Sequence, residues 1–522
     1  MNQEEILNQI KQKIGSGLNK VSQIGSDEVY LEVEAQSFKP LCLFLHRTFS
    51  SPVMAFFACD ERKTQGHFEL YCTFVNQADK TWYFVQMQLS GENAEFDTIA
   101  NDIYSANLFE REMKEQFGVD PIGNPDARRL ALHDEVWPQG SFPLRKDFKG
   151  LEGKTYADYI FDKVEGEGIF EVPVGPVHAG IIGPGHFHFS AAGEPIINLE
   201  IRLGYSHRGV EKLMEGKTSA EALVFSERVA GDSAVAHSWA FCQAVEKICG
   251  TKVPPRALYI RSICLELERL YNHASTIGGI ALDVGFSFPA ALATIIKENV
   301  QVAAEQLCGS RFLRGSIKLG GVGFEMDASK ELVLKVLAEK TVKDLADLKS
   351  MLFGSVAFLD RVETTGTLWK KTAEDLGVVG LVARSSGLSI DFRDKTFPYQ
   401  DFGFKVIKEQ TGDVLARLKS RFKEMEESLR LIKEMLAHLP QGEIISAVAQ
   451  KIGFSLGVVE GWRGPVLYWI KLEHDHRLER AKIVDPSFHN WPSLGYSVIG
   501  DIIPDFPVCN KSFDLAYAGN DL

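Results

Sequence analysis

Residues 221–249 read EALVFSERVAGDSAVAHSWAFCQAVEKIC, and this stretch decides the fold of the larger part of the chain. Apolar residues recur along it at three- and four-residue spacing, the period of an amphipathic helix. The same period returns at 255–278, 290–308 and 413–438, so a mostly helical domain is expected there. Ahead of these helices, GHFHFS at 185–190 and EPIINLEIRLG at 194–204 alternate as strands do, which gives the domain a short β-rich opening.

Toward the N-terminus the period changes to two. YLEVE at 30–34 and WYFVQMQL at 82–89 have the alternation and β-rich composition of strands in one half-buried sheet. Between the two regimes lies KGLEGKTYADYIFDKVEGEG at 149–168, polar and glycine-bearing as linkers are. The expected class is α+β: a small α/β domain over 1–150, a linker over 151–170, and the mostly helical domain over 171–522. The closing stretch 485–522 is rich in Pro, Gly and aromatics without a period, and reads as a loop-rich tail.

The composition excludes several classes. A net charge of -13 over 522 residues leaves no basic surface for nucleic acid. The opening MNQEEILNQIKQKIGSG carries early acids, unlike an export signal, and no window approaches the ~18 uncharged apolar residues of a membrane span. A cytoplasmic chain is expected, held to any membrane through partners. Its eight cysteines are scattered with no CxxC pair, so a thiolate-held cluster within the chain is not expected.

Two groups of motifs carry a family resemblance. FEREMKEQFGVDPIGNPDARRL at 109–130 and FPLRKDF at 142–148 resemble the end of the 30-kDa subunit of complex I and its hydrogenase counterparts. There Glu110, Arg111 and Glu112 read as a surface ion-pair network used in subunit docking rather than in catalysis. GPVHAGIIGPGHFHF at 175, RLGYSHRGVEKL at 202, ERVAGDSAVAHSWAFCQAVE at 227, VPPRALYIRSICLELERLYNH at 253, CGSRFLRG at 308, FLDRVETTG at 358, GLVARSSGLSIDFR at 380 and the closing DFPVCNKSFDLAYAGNDL resemble the 49-kDa subunit. They resemble still more the large subunit of group 4 nickel-iron hydrogenases, in which both parts are often fused.

The departures from that family matter most. Its hydrogenases hold the metal by four thiolates, two in RxCGxC and two in a C-terminal CxxC, sulfur ligands suited to nickel and iron. Here Ala230, Ser233, Ala516 and Gly519 stand at those positions. None but Ser233 has a side-chain donor atom, so no nickel-iron site is expected. Gly183 stands where the hydrogenases usually carry a proton-passing glutamate. Ile182 and Gly231 stand where complex I places the histidine and tyrosine of its quinone site, and neither can hydrogen-bond through a side chain.

If the fold is kept, His178, Arg228, Asp232, His237, Arg384 and Asp391 remain around the vacated cavity as candidate site residues. Arg228 and Asp232, four apart, are expected to project together from one helix face. The alternative for each is inherited scaffold. His186 with His188, and His474 with His476, lack a third ligand and read as solvated or core residues. Gly320-Gly321-Val322-Gly323 lacks the Gly-Lys-Ser/Thr of a phosphate loop and reads as a turn. No nucleophile constellation of a hydrolase stands out.

The resemblance implies an oxidoreductase subunit of an ion-translocating complex. A 20-kDa-like iron-sulfur partner would hold a 4Fe-4S cluster, and membrane subunits of complex I/antiporter type would keep the chain peripherally on the cytoplasmic side of the inner membrane. NADH dehydrogenase activity and the binding of NAD or quinone would be properties of the whole complex, with no cofactor held directly by this chain. On this reading the chain forms an acceptor or coupling cavity. The alternative is a docking subunit without redox chemistry.

Overall fold

The computed structural model describes residues 3–522 apart from 92, 152, 154, 156, 157 and 179–181. The chain is α+β, with a sheet-based N-terminal part followed by a largely helical one. Helix α1 (Gln3–Ile14) leads into strands β1 (Leu18–Ile24) and β2 (Glu28–Val33), helix α2 (Ala35–Phe49), then β3 (Ala55–Asp60), β4 (His67–Val75) and β5 (Trp82–Ser90). The strands lie in the order β1-β2-β5-β4-β3. Only β2 and β5 run parallel, because α2 and the β3–β4 hairpin intervene between them in sequence. Short strands β6 (Glu95–Asp97) and β7 (Asp120–Ile122) flank helix α3 (Asn107–Phe117).

The helical part opens on the antiparallel strands β8 (Ile169–Val174), β9 (His186–Ala192) and β10 (Ile196–Arg202). Helices α4 (Val210–Met214), α5 (Ser219–Ser226), α6 (Ala234–Cys249), α7 (Pro255–Asp283) and α8 (Ser287–Cys308) follow, then the small hairpin β11 (Ile317–Lys318)–β12 (Gly321–Val322). After α9 (Ala328–Phe353) come α10 (Val356–Val362), α11 (Lys370–Leu376), α12 (Gly380–Ser385) and α13 (Val414–Ala437). Helix α7 is buried along most of its length and packs on both α8 and α13. It is the axis of the larger hydrophobic core.

Two sequence expectations need correction. A third sheet, β13 (Gly453–Glu460), β14 (Pro465–Glu473) and β15 (Arg477–Val484), covers the face of the N-terminal sheet that a half-buried sheet would turn to solvent. Trp469 of β14 packs on Phe57 and Tyr71 and donates from Nε1 to the Tyr30 hydroxyl at 3.1 Å. Strand β3 is accordingly buried at every position, and Leu456, Leu467, Trp469 and Val484 join the N-terminal core. The closing stretch is not a loop-rich tail either. It forms α14 (Pro486–Ser497), α15 (Phe506–Phe513) and α16 (Tyr517–Asp521). Asp485 caps α14 by accepting from the Ser487 amide at 2.7 Å, with Pro486 at the first helical position, where its missing N–H costs nothing.

The expected linker falls partly on residues outside those described. Its later residues strap onto the β8–β10 sheet: the Tyr159 hydroxyl donates to Glu200 Oε1 at 2.6 Å, and Phe161 stacks on His186 and His188.

Candidate functional site

The RVAGDS motif does not lie on a helix. Helix α5 ends at Ser226 and α6 begins at Ala234, with residues 227–233 forming turns between them. The new start is set by the buried carboxylate of Glu268 on α7, which accepts from the amides of Val235 and Ala236 at 2.7 and 3.1 Å. It satisfies two of the orphan donors of the helix N-terminus. Burial pushes Glu268 up to about 8 even so. The expected Arg228–Asp232 pair is therefore absent. Arg228 is half exposed and donates back to the Val224 carbonyl, near Glu227.

Asp232 is held instead by Arg463, whose Nη1 and Nη2 donate to its two oxygens at 2.9 and 2.7 Å. Arg463 sits at the tip of the β13–β14 hairpin, between Gly461-Trp462 and Gly464. The tip is driven deep into the molecule: a Cβ on Gly380 would lie 1.9 Å from the Arg463 carbonyl oxygen, and Gly380 has φ +65°. Only glycine allows that approach. The Arg463 guanidinium stacks on Trp462 at 3.8 Å and its Nη1 reaches Ser233 Oγ at 3.4 Å. Trp462 Nε1 donates to the same Oγ at 3.0 Å. The Asp232 carboxylate beside it keeps the buried Arg463 firmly charged against the cost of burial.

Below this tip lies a second buried group. His237, one turn into α6, meets Asp485 Oδ2 through Nε2 at 3.0 Å and the Tyr468 hydroxyl through Nδ1 at 3.0 Å. All three side chains are sealed from solvent. Burial raises the Asp485 carboxyl, but His237 and Arg463 outweigh it and hold the group below its ordinary range.

The residues at the family's metal positions do not fit a metal centre. A Cβ built on Gly519 would lie 2.6 Å from Asp485 Oδ2 and 3.0 Å from Ala516 Cβ, so the Asp485 carboxylate already fills the space a ligand side chain would need. A Cβ on Gly183 would strike the Tyr517 ring at 2.6 Å. Among the described residues, no three His, Cys, Asp or Glu side chains converge as a metal would require.

Arg384 and Asp391 make no ion pair with Asp232, His237, Arg463 or Asp485 and belong to a buried array that adjoins the hairpin tip, where Arg269 donates to the Gly461 carbonyl at 3.2 Å. Arg384 pairs with Glu460 at 2.7 Å, Glu424 at 2.8 Å and Asp391 at 3.4 Å. Arg393 joins Asp391 to Glu266, and Arg269 joins Glu266 to Glu424. His273 Nε2 completes the array against Glu424 at 2.9 Å. Three arginines thus face four carboxylates, all closed to solvent. Burial alone would raise every acid, yet Arg393 and then Arg384 hold Asp391 at about 2, while burial and the Asp391 charge leave Glu460 at about 7. Burial brings His273 down to about 4.

The remaining sequence candidates are used elsewhere. His178 Nε2 hydrogen-bonds the Gly185 carbonyl oxygen at 2.8 Å, on a loop whose residues 179–181 lie outside those described. His186 and His188 lie beneath Phe161, and His474 and His476 lie in the β14–β15 turn. Gly320, in the β11–β12 turn, and Gly321, opening β12, meet the Ser446 and Ile444 carbonyl oxygens, which leave no room for a side chain. Of the Glu110-Arg111-Glu112 run, Glu110 and Arg111 are buried and Glu112 is partly buried. Glu110 accepts from the Ile99 amide and from Asn124, and Glu112 pairs with Lys482 of β15 at 2.5 Å. Glu112 thus ties the N-terminal part to β15, while Glu110 and Arg111 hold loops of the N-terminal part itself. Between these parts opens a cavity of about 530 Å³, lined by Glu112, Glu211, Lys212, Leu199 and Trp491 among others.

Comparison with known proteins agrees with this architecture. Residues 31–154 match the model of the respiratory-chain NADH dehydrogenase 30 Kd subunit, 283–455 that of the 49 Kd subunit, and 208–276 that of nickel-dependent hydrogenase. The chain belongs to this family, as a fused 30-kDa/49-kDa-type large subunit of the complex I and group 4 hydrogenase kind. It is 31% identical to formate hydrogenlyase subunit 5 of Escherichia coli (strain K12) across 95% of this chain and 89% of that protein. To hydrogenase-4 component G of the same organism it is 31% identical across 95% and 88%. The fold also matches a chain of the membrane-bound sulfane sulfur reductase, an archaeal respiratory membrane complex, with a TM-score of 0.65 over 68% of this chain and 99% of that one, at 24% identity. No helix among the described residues is long and apolar enough to cross a membrane.

Proposed function

We propose that this chain is the large subunit of a membrane-associated, ion-translocating redox complex that works without a nickel-iron centre. It sits peripherally on the cytoplasmic side, against a 20-kDa-like partner that holds a 4Fe-4S cluster, with complex I/antiporter-type membrane subunits below. The locus of Asp232, Ser233, His237, Arg463 and Asp485 is its acceptor or coupling cavity. The single observation that carries this reading is the crowding at Gly519: the carboxylate of Asp485 takes the room of a metal ligand, while a charged, hydrogen-bonded cluster is maintained around it. Buried charge is expensive to keep without a use.

Elemental analysis of the complex purified through this chain tests it. Iron without nickel is the expected result. Stoichiometric nickel would overturn the reading of Ala230, Ser233, Ala516 and Gly519. The filling of the locus by Tyr517 and Asp485 favours a second reading, a docking platform without redox chemistry, which predicts that Asp232→Asn leaves turnover of the complex unchanged.

A further inference from the structure

We propose that the cavity between the two parts of the chain is a binding site for an uncharged amphiphile, a molecule with an apolar body and one hydrogen-bonding head group. The site lies apart from the locus and does not depend on the redox reading.

Its size and walls suit such a molecule. The cavity holds about 530 Å³, within the ~300–1,000 Å³ of small-molecule sites. Leu108 and Leu144 line it from the N-terminal part, and Leu199, Val210, Trp491 and Pro492 from the helical part. Tyr104, Tyr496 and Ile499 line it too and are exposed, so large apolar side chains mark its mouth. Water is held weakly on such walls, and an apolar group that displaces it gains affinity.

The charged side chains of the lining decide the ligand class, because each is already matched within the chain. Arg111 and Arg128 pair with Asp126 at 3.0 and 2.9 Å, and Arg128 also with Glu200 at 2.7 Å and Asp162 at 3.4 Å. Arg202 pairs with Glu135 and Lys212 with Glu215, while Arg129 donates to the Trp137 carbonyl at 2.9 Å. Glu112 pairs with Lys482 and Glu211 with Arg480. Glu115 accepts from the Leu130 amide, Asp521 accepts from the amides of Gly204 and Ser206, and His207 bonds the Asp521 carbonyl oxygen. An ion entering the cavity would lose its hydration with no free counter-charge to receive it. A neutral molecule meets no such cost.

One buried polar side chain of the lining is left over. Gln116 on α3 is 6% exposed, and its carboxamide has no hydrogen-bond partner among the described residues. A buried amide without a partner is costly. A hydroxyl or carbonyl head group would satisfy it, since a carboxamide both donates and accepts. The head then lies against α3 and the body against the wall of Leu199 and Trp491. Asn520 and Asp521 of α16 also line the cavity, and Gly519 of the same helix lies against Asp485, so an occupant rests on the helix that closes the locus.

The test is photolabelling of the full chain, and of the complex purified through it, with a diazirine-bearing octanol, the labelled peptides being mapped by mass spectrometry. A diazirine-bearing octanoate serves as the charged control. The octanol is expected to label the peptides holding Leu199 and Trp491 saturably, and the octanoate about tenfold less, since its carboxylate would be desolvated unpaired. Gln116→Leu removes the head-group partner together with an unsatisfied amide. It is expected to raise the octanol concentration for half-saturation about fivefold, the weight of one net hydrogen bond, with the thermal melt unchanged or raised. Equal labelling by the octanoate, labelling confined to other peptides, or native half-saturation in Gln116→Leu would each overturn the proposal. Competition by an organic extract of the membrane would assign the occupant to the lipid phase, and competition by the aqueous extract alone to the soluble pool.

Discussion

The locus of Asp232, His237, Arg463 and Asp485 and the Arg384 array are both polar and largely buried, yet they are built differently. At the locus the shortest ion pairs are pairwise, Arg463 with Asp232 and His237 with Asp485, with Asp514 at the limit of reach from Arg463. Asp232 is still partly open to solvent, its side chain 37% exposed. In the array each arginine and three of the four carboxylates have several charged partners, Glu460 has Arg384 alone, none reaches solvent, and the carboxylates outnumber the arginines. A pairwise site can change one member and keep its fold, whereas a shared network cannot. The family motifs pool Arg384 and Asp391 with Asp232 and His237 as one cavity. The two groups adjoin at the β13–β14 hairpin, where Arg269 donates to the Gly461 carbonyl and His273 packs edge-on to Trp462, but their ion pairs are formed by different side chains.

The largest expected effect tests the array. Arg384→Met removes the cation shared by Glu424, Glu460 and Asp391 and leaves buried carboxylates unmatched, at a cost of about 3–5 kcal/mol. The chain should melt far earlier or fail to assemble, on either functional reading. A variant melting like the native chain would show that the network is not the shared structure described here. Next comes Gly519→Cys, which restores a thiol at one family ligand position. Its Cβ would press on Asp485, so it should destabilise by about 1–3 kcal/mol, as overpacking does, and bring no nickel into the complex. Nickel uptake by this variant would remove the contrast with the hydrogenases.

Asp232→Asn addresses the locus with less harm to the fold. The Arg463 hydrogen bonds are kept in part, and the position is partly open, so the stability loss should stay at about 1 kcal/mol. If the locus is the working cavity, turnover of the complex should fall steeply while the melt hardly moves. Unchanged turnover would favour the docking platform. Asp232 therefore discriminates between the two readings where Arg384 does not.

Much of this is legible in the sequence for physical reasons. The period-2 and period-3.6 stretches become strands and helices, with α13 starting one residue after Asp413, its N-cap. The family motifs can be read directly, as can the residues Ala230, Ser233, Ala516 and Gly519 on which the expected absence of a nickel-iron site rests. The break between α5 and α6 cannot, because its cause is Glu268, distant in sequence and recognisable only once α7 is packed. The third sheet and the closing helices escape for a similar reason: buried aromatic and glycine-rich runs carry no clear period. Arg463 does have a signal, an Arg-Trp pair enclosed by glycines in EGWRGP at 460–465, as a buried hairpin tip requires. Glu266, Arg269 and His273 have one too, as charges recurring along an otherwise apolar helix.

The smallest expected effect sharpens the comparison through pH. Glu460 lies at about 7 because of burial and the charge of Asp391, above the ordinary carboxyl value of about 4.3. A raised acid binds its proton more tightly in the folded chain than in the unfolded one. Its contribution is therefore complete below the unfolded value and is lost as pH climbs through 7. Asp391, held at about 2 by Arg393 and Arg384 against burial, acts in the opposite sense: its contribution is present above about 4 and lost only as pH falls toward 2. His273, brought down to about 4 by burial, adds stability as pH rises to the unfolded histidine value of about 6.5 and so opposes Glu460 below it. From about pH 6.5 to 8 Glu460 is the array member that titrates, and the melting temperature should decline across that interval. Glu460→Gln cannot ionise and should flatten the decline. Glu268, near 8 at the head of α6, adds a slope of the same sign from the locus, and Glu268→Gln should remove that share alone. If the double variant kept the native slope, the proton held between these acids would have to reside elsewhere, and the excess carboxylate of the array would lose its physical meaning.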